Sequence, residues 1–293
     1  MDSLVSFVLS TANLFGFYAL LALGLGLVFG QLGVVNVAHG DLVMVGAYVM
    51  YALTPVPFPL RVLLAVLLAV VLGLAAEWAI LRRLYSRGML ATLLAMWGLG
   101  IVLRQLAEAI FGATPRSVEA PIEGSTVVLG TPFPTYRLVV TGVSLAVVVL
   151  ALLVVYRTSL GLKLRASIAN RDMAAVLGIP PRLMIAGTFA VGTLLAVLAG
   201  ALQSPTLGLT PGMGVAFLAP AFFAVLVGRL GSLTGPIVGA FVVALLSSLL
   251  RRYLTETVAE LLFFAALVVL IAARPAGLSW RLPSWSTRTR NVA

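Results

Sequence analysis

The chain has no cysteine, a single histidine (His39), a single lysine (Lys163) and nine acidic residues in 293. Without cysteine, disulfides and thiolate metal sites are excluded. One histidine excludes histidine-rich metal ligation and leaves little for a Ser-His-Asp arrangement. No G-x-x-x-x-G-K-[ST] run occurs, so there is no P-loop for ATP in this chain. Charge is scarce as well, at 10% of residues against about 25% in a soluble domain. What fills the space is apolar: 61% hydrophobic residues and a mean hydropathy of +1.15. Water is not the main solvent of such a chain.

A membrane-crossing helix needs about 20 apolar residues, and several segments qualify outright, among them 62–81, 138–156 and 183–203. The expected fold is all-α: one polytopic membrane domain over residues 1–293, with eight or nine segments near 7–29, 40–54, 61–81, 89–111, 138–156, 183–204, 215–228, 234–250 and 256–273. The second and seventh are short and read as half-helices or tilted pieces. "LTPVPFPL" (53–60) is a proline-rich turn that cannot continue a helix. Residues 112–136 form a polar outer-side loop able to hold a small surface element. The start, MDSLVSFVLS, has an acid and no basic residue, unlike a signal peptide, so the first apolar run is expected to remain as a span.

A net charge of +10 would suggest nucleic acid in a soluble chain, but here the arginines lie between apolar runs, where they set orientation. With the N-terminus outside and the C-terminus in the cytoplasm, inner loops hold 13 basic residues, among them Arg274, Arg281, Arg288 and Arg290, and outer loops hold 5. The pair Arg251–Arg252 runs against that bias. The expected partner surface is lipid, with no nucleic acid.

The stretch "VVNVAHGD" (34–41) gathers Asn36, His39 and Asp41 among apolar runs, behind Gly30 and Gly33. Unwound backbone at membrane depth is allowed only where protein buries it or water reaches it, so these groups suit the lining or shaping of a path. A plain loop, with Asn36 or Asp41 as a helix cap, is the alternative. "VFGQLG" (28–33) and "LVGRLG" (226–231) share a G-x-L-G core beside short segments. Interrupted helices in corresponding halves are a trace of internal symmetry in transporters; chance in a chain with 28 glycines is the plainer reading. Arg104 and Glu108, four apart, are expected to pair along one helix. Glu77, before Trp78, is read as a structural boundary residue.

The largest inner loop, 157–182, carries an amphipathic helical pattern over 162–177, with Leu164, Ile168 and Val176 on one side and Arg165, Asn170, Arg171 and Asp172 polar. Gly178 is placed to end it and Pro180–Pro181 to forbid its continuation. Such a helix either lies on headgroups or docks in a groove of another protein. Gly26 and Gly30, then Gly192, Ala196 and Gly200, then Gly235 and Gly239, recur at a spacing that lets helices pack closely in lipid.

Three ordered blocks resemble the permeases of branched-chain amino acid ABC importers. They are "GLGLVFGQLGVVNVAHGDLVMVGAYVMY", "TSLGLKLRASIANRDMAAVLGIPP" and "AFFAVLVGRLGSLTGPIVGAFVVALL". The N-x-A-H-G form is similar to the shorter of that family's two permease subunits. The resemblance implies a prokaryotic inner-membrane subunit with no cofactor of its own. Its implied partners are a second related permease, two cytoplasmic ATPase subunits that use the ATP, and a periplasmic or extracellular binding protein. On that footing Asn36, His39, Asp41, Gly30, Gly33, Gly228 and Gly231 become path or gate residues. Leu164, Arg165, Asn170, Arg171, Asp172 and Gly178 become the coupling segment that meets an ATPase. Departures stand at Arg229 (family Gly–Gly), Pro220 (often lysine) and Asp41 (commonly glutamate), and they leave the solute open. Urea, short amides or another small organic solute are alternatives within the architecture. A stand-alone secondary transporter is an alternative outside it.

Overall fold

A computed structural model describes residues 2–84, 87–229 and 231–273. Arg274, Arg281, Arg288 and Arg290, and with them the expected position of the C-terminus, lie outside the described residues. Among those described, the chain forms eleven α-helices. They are α1 (Asp2–Leu32), α2 (His39–Ala52), α3 (Phe58–Ala79), α4 (Met89–Phe111), α5 (Thr135–Arg157), α6 (Ser159–Ala169), α7 (Arg171–Val176), α8 (Pro181–Gln203), α9 (Met213–Val227), α10 (Gly235–Tyr253) and α11 (Glu256–Ala273). Seven are long and apolar enough to cross a membrane, while α9 is an apolar helix too short to do so. With α2 at 14 residues and α9 at 15, the expected count of eight or nine segments, two of them short, describes the bundle.

α1 and α8 form its centre. Both are mostly buried, whereas only about a fifth or less of the apolar stretch of α3, α4, α5 and α11 is buried. Leu67, Trp97, Leu150 and Val269 are exposed on those outer helices. Apolar side chains facing outward suit a hydrocarbon surrounding, where no water is available to reward polar ones. The two central helices are antiparallel: Asn13 meets Gln203 near one end and Gly24 meets Gly192 further along. At Gly24 the approach is so close that an added Cβ would lie 3.0 Å from the Gly192 carbonyl oxygen. The small-residue spacing thus serves direct helix contact.

Local chemistry sets the breaks. α2 ends before the proline-rich turn, and α3 starts with Pro57 as its cap and a proline in its first turn, where the missing N–H costs nothing. Arg61 folds back and donates to the Met50, Thr54 and Val56 carbonyls, supplying donors that the end of α2 lacks. The polar loop 112–136 does hold a surface element. In it β1 (Ser125–Val128) and β2 (Thr131–Pro134) pair antiparallel, with Val128 opposite Thr131. The loop is tied to the bundle by Arg116 and Leu209, which exchange two backbone hydrogen bonds at 2.9 Å.

The amphipathic stretch 162–177 is two helices rather than one. Asn170 leaves helical geometry (φ −156°, ψ 104°), and its side chain accepts the Met173 N–H at 2.9 Å. An asparagine that caps a new helix competes with continuing the old one. The shared face is lost as a result. Ile168 packs at Gly30 and Leu164 against the core, while Val176 is 83% exposed. Gly178, at φ +79°, does end α7.

Candidate functional site

Six residues separate α1 from α2, and they carry the chain back toward the middle of α1. The turn starts at Gly33 (φ +66°), whose N–H reaches the Phe29 carbonyl at 2.7 Å. From Leu21 to Leu32 is about 16 Å of helix at 1.5 Å per residue, yet His39 Nε2 lies 3.1 Å from the Leu21 carbonyl. α2 therefore begins deep beside α1 and runs toward the α1 N-terminal end, where Arg61 meets its last carbonyls. α9 runs the other way, parallel to α1: Phe217 contacts Phe17, and Val225 contacts Gly26. The two half-helices meet at their N-termini. A Cβ on Gly40 would lie 2.1 Å from the Gly214 carbonyl oxygen, and one on Gly214 would lie 2.8 Å from the Asp41 nitrogen.

Each polar side chain of 34–41 has a partner at this junction, while His39 Nδ1 and Asp41 Oδ1 accept no hydrogen bond. Asn36 Oδ1 accepts the Ala38 N–H at 3.1 Å, and the Asn36 carbonyl accepts the His39 N–H. Because the Leu21 carbonyl can only accept, His39 Nε2 donates to it. Asp41 lies in the first turn of α2, beside the start of α9, where the amide dipoles favour a carboxylate. Its other support is Arg104 of α4, with Nε 3.7 Å from Oδ1. Gly100 makes that approach possible, since a Cβ there would stand 2.3 Å from Asp41 Oδ2.

This corrects the expected Arg104–Glu108 pair. Glu108 is exposed and keeps its hydration, whereas Asp41 is 4% exposed and needs a counter-charge. The buried acid therefore outcompetes the local one. Glu77 is buried and Trp78 exposed.

Asn36, His39 and Asp41 are 2%, 1% and 4% exposed and do not line the cavities found among the described residues. Gly30 faces Ile168 of α6, and Gly33 stands at the turn. Gly228 caps α9 against Gly235, and Gly231 has φ +78°. Both G-x-L-G runs thus close a helix and end on a left-handed glycine, although Arg229 is left-handed too (φ +77°) in the second. In the inner segment Leu164 and Arg165 are half-buried, with the Arg165 guanidinium 5.2 Å from the Tyr156 ring. Asn170, Arg171, Asp172 and Gly178 are exposed.

The open space is elsewhere. At the α1 N-terminal end, a cavity of about 750 Å³ is lined by Ser10, Asn13 and Phe17 of α1, Arg137 of α5, Gln203, Thr206 and Phe217, and Ser247, Arg251 and Arg252 of α10. Hydrogen bonds brace its wall. Thr206 donates to Gln203 Oε1 at 2.7 Å, Gln203 Nε2 to Asn13 Oδ1 at 3.3 Å, and Asn13 Nδ2 to Thr141 Oγ1 at 3.0 Å. A smaller cavity of about 90 Å³ adjoins it, sharing Tyr18, Phe217, Ser247 and Arg251 and adding Pro220 and Glu260. Sequence reasoning missed this site. Its one signal was Arg251–Arg252, two arginines on the side where few were expected. No group of three or more metal-ligating side chains occurs among the described residues.

The sequence profile of a family described as "Branched-chain amino acid transport system / permease component" matches residues 7–272. The high-affinity branched-chain amino acid transport system permease protein LivH of Escherichia coli strain K12 is 28% identical over 283 residues, covering 90% of this chain and 91% of that protein. The corresponding protein BraD of Pseudomonas aeruginosa is 26% identical over 281 residues, covering 90% and 92%. A probable branched-chain amino acid transport permease protein LivH of Methanocaldococcus jannaschii is 30% identical over 250 residues, covering 81% and 78%. No solved structure matches the chain.

Proposed function

The chain belongs to the family of branched-chain amino acid transport system permease components, and from that premise we propose that it forms part of the path by which branched-chain amino acids enter the cell. It is a membrane-spanning transport subunit. In our reading it works in a prokaryotic inner membrane, N-terminus outside and C-terminus in the cytoplasm. It stands beside a second related permease, with two cytoplasmic ATPase subunits below and a solute-binding protein above. The match over residues 7–272 carries this reading. The missing P-loop fits it, since ATP is then used in other chains.

The segment α6–α7 is the proposed coupling element. It lies at the opposite end of α1 from the large cavity, held by the Gln31 Nε2–Ser167 Oγ hydrogen bond of 2.7 Å. It exposes Leu162, Met173, Val176 and Leu177 beside Arg171 and Asp172, a mix of apolar and charged groups suited to a groove on a soluble partner. Leu164, Arg165, Asn170 and Gly178 fix its shape. Asn36, His39 and Asp41, with Gly30, Gly33, Gly228 and Gly231, act in our reading as gate-shaping residues. They set where the half-helices start and turn rather than touching solute.

The test is reconstitution in vesicles, with and without the ATPase subunits and binding protein. Leucine uptake is expected only in the full assembly, and Arg171→Glu/Asp172→Lys abolishes uptake and the coupling of ATP hydrolysis to the liganded binding protein. Gradient-driven uptake by the chain alone would overturn the proposal.

A further inference from the structure

We infer that the large cavity is an anion-attracting vestibule where the guanidinium groups of Arg137, Arg251 and Arg252 receive the carboxylate of the transported amino acid. This rests on the permease reading and names the chemistry of its entrance.

Three arginines border one cavity in a chain with nine acidic residues overall. Arg251 pairs with the largely exposed Glu256 at 3.8 Å and shares the adjoining small cavity with Glu260, and exposed pairs such as Arg251–Glu256 hold their partners weakly. A concave site lined by one sign of charge against low-dielectric walls focuses its field and concentrates counter-ions. Guanidinium groups match a carboxylate in geometry as well as charge.

The remaining surface suits the rest of an amino acid. Leu14, Phe17 and Phe217 offer an apolar wall for an aliphatic side chain. In the adjoining small cavity, Glu260 supplies a negative charge. Pro220 stands inside α9 there, and because it has no N–H, the Ala216 carbonyl beside it loses its i+4 donor. A carboxylate and a carbonyl that lacks its helical i+4 donor are acceptors for an ammonium group. At about 750 Å³, the vestibule admits solute together with water, which suits transit better than tight capture.

The same arginines would suit a lipid phosphate, so the experiment separates the two sources. The chain has no cysteine, so the unaltered protein is already a background for thiol labelling. Ser10→Cys is introduced on the vestibule wall and Leu129→Cys on the exposed hairpin tip, within the full complex in lipid nanodiscs. The ratio of labelling rates by sulfonate-bearing and trimethylammonium-bearing methanethiosulfonates is read on this chain by mass spectrometry.

The ratio is expected to be at least tenfold higher at position 10 than at 129. Arg251→Gln or Arg137→Gln in the Ser10→Cys background lowers it several-fold. Excess leucine slows sulfonate labelling at position 10, while leucinol, which lacks the carboxylate, leaves it unchanged. Equal ratios at the two positions overturn the inference. So does equal protection by leucinol, or slowing that follows phosphatidylglycerol content rather than leucine. These outcomes do not depend on ATP hydrolysis. A complex that shows the labelling pattern but no ATPase response to the liganded binding protein would instead overturn the permease reading.

Discussion

The junction at residues 34–41 and the vestibule at the other end of α2 are both polar islands in an apolar chain, and they are built in opposite ways. At the junction Asn36, His39 and Asp41 are buried and turned onto backbone or onto Arg104. At the vestibule, amides and hydroxyls brace one another and three arginines border an open cavity, Arg252 lying over the Phe7 and Tyr253 rings. A polar side chain at membrane depth is costly wherever it sits. What separates a fastening from a binding surface is whether its groups are enclosed by protein or have open room beside them. By that measure the junction fixes the geometry and the vestibule meets the solute.

The largest effect that tests this contrast comes from the backbone contacts behind the junction. A Cβ on Gly200 would sit 1.9 Å from the Val43 carbonyl oxygen, and backbone cannot yield as a side chain does. Gly200→Val is expected to separate α2 from α8, for which the usual overpacking cost of about 1–3 kcal/mol is a lower bound. No monodisperse protein should be recovered on size exclusion. Normal folding would mean that α2 is not held by this contact.

Next comes Asp41→Asn, which keeps the volume and removes the charge facing Arg104. Breaking a buried pair by removing one partner costs about 3–5 kcal/mol. The lower end is expected, because the Arg104 side chain is 22% exposed and can reach toward the interface. The thermal midpoint in detergent should drop clearly, and Asp41→Asn/Arg104→Gln should recover part of the loss. A double variant no better than the single one would show that the 3.7 Å approach carries no stability.

His39→Phe sharpens the comparison at smaller cost. It keeps a ring and deletes the donor to the Leu21 carbonyl, a loss of about 1 kcal/mol measured as the same midpoint. Uptake per folded complex is expected to stay within twofold. Normal stability with collapsed uptake would place His39 on the solute path after all and remove the distinction between the two islands.

Much of the fold was legible because lipid imposes a simple rule: runs of about 20 apolar residues become helices. Segments 89–111 and 256–273 coincide with α4 and α11 residue for residue. The short second and seventh segments were legible too, from length alone. How far α2 turns back into the bundle was not, because hydropathy does not record the direction in which a loop returns. Arg104 was assigned to Glu108 by helical spacing, which sees only neighbours on one helix. Asp41 lies 63 positions away in sequence and wins through burial. The vestibule was hidden for a similar reason. Asn13, Gln203 and Arg251 come from three distant helices, and each alone looks like an ordinary boundary residue. Only the misplaced arginine pair hinted at it.

The smallest effect belongs to the vestibule wall. Thr206 donates to Gln203, which donates to Asn13, so Thr206→Val keeps the shape but removes the first link of the brace. A hydrogen bond of this kind contributes about 0.5–1.5 kcal/mol, and a partly buried one next to water belongs at the low end. The stability change should therefore be barely resolvable. The consequence lies in position: a Gln203 amide released from Thr206 no longer fixes the wall opposite the arginines. Leucine uptake by the full complex should then show a KM raised about two- to threefold with kcat nearly unchanged, the pattern of a weakened approach rather than a damaged conformational step. Unchanged uptake with a lowered midpoint would make the network a fastening like the junction, and the two regions would no longer differ in kind.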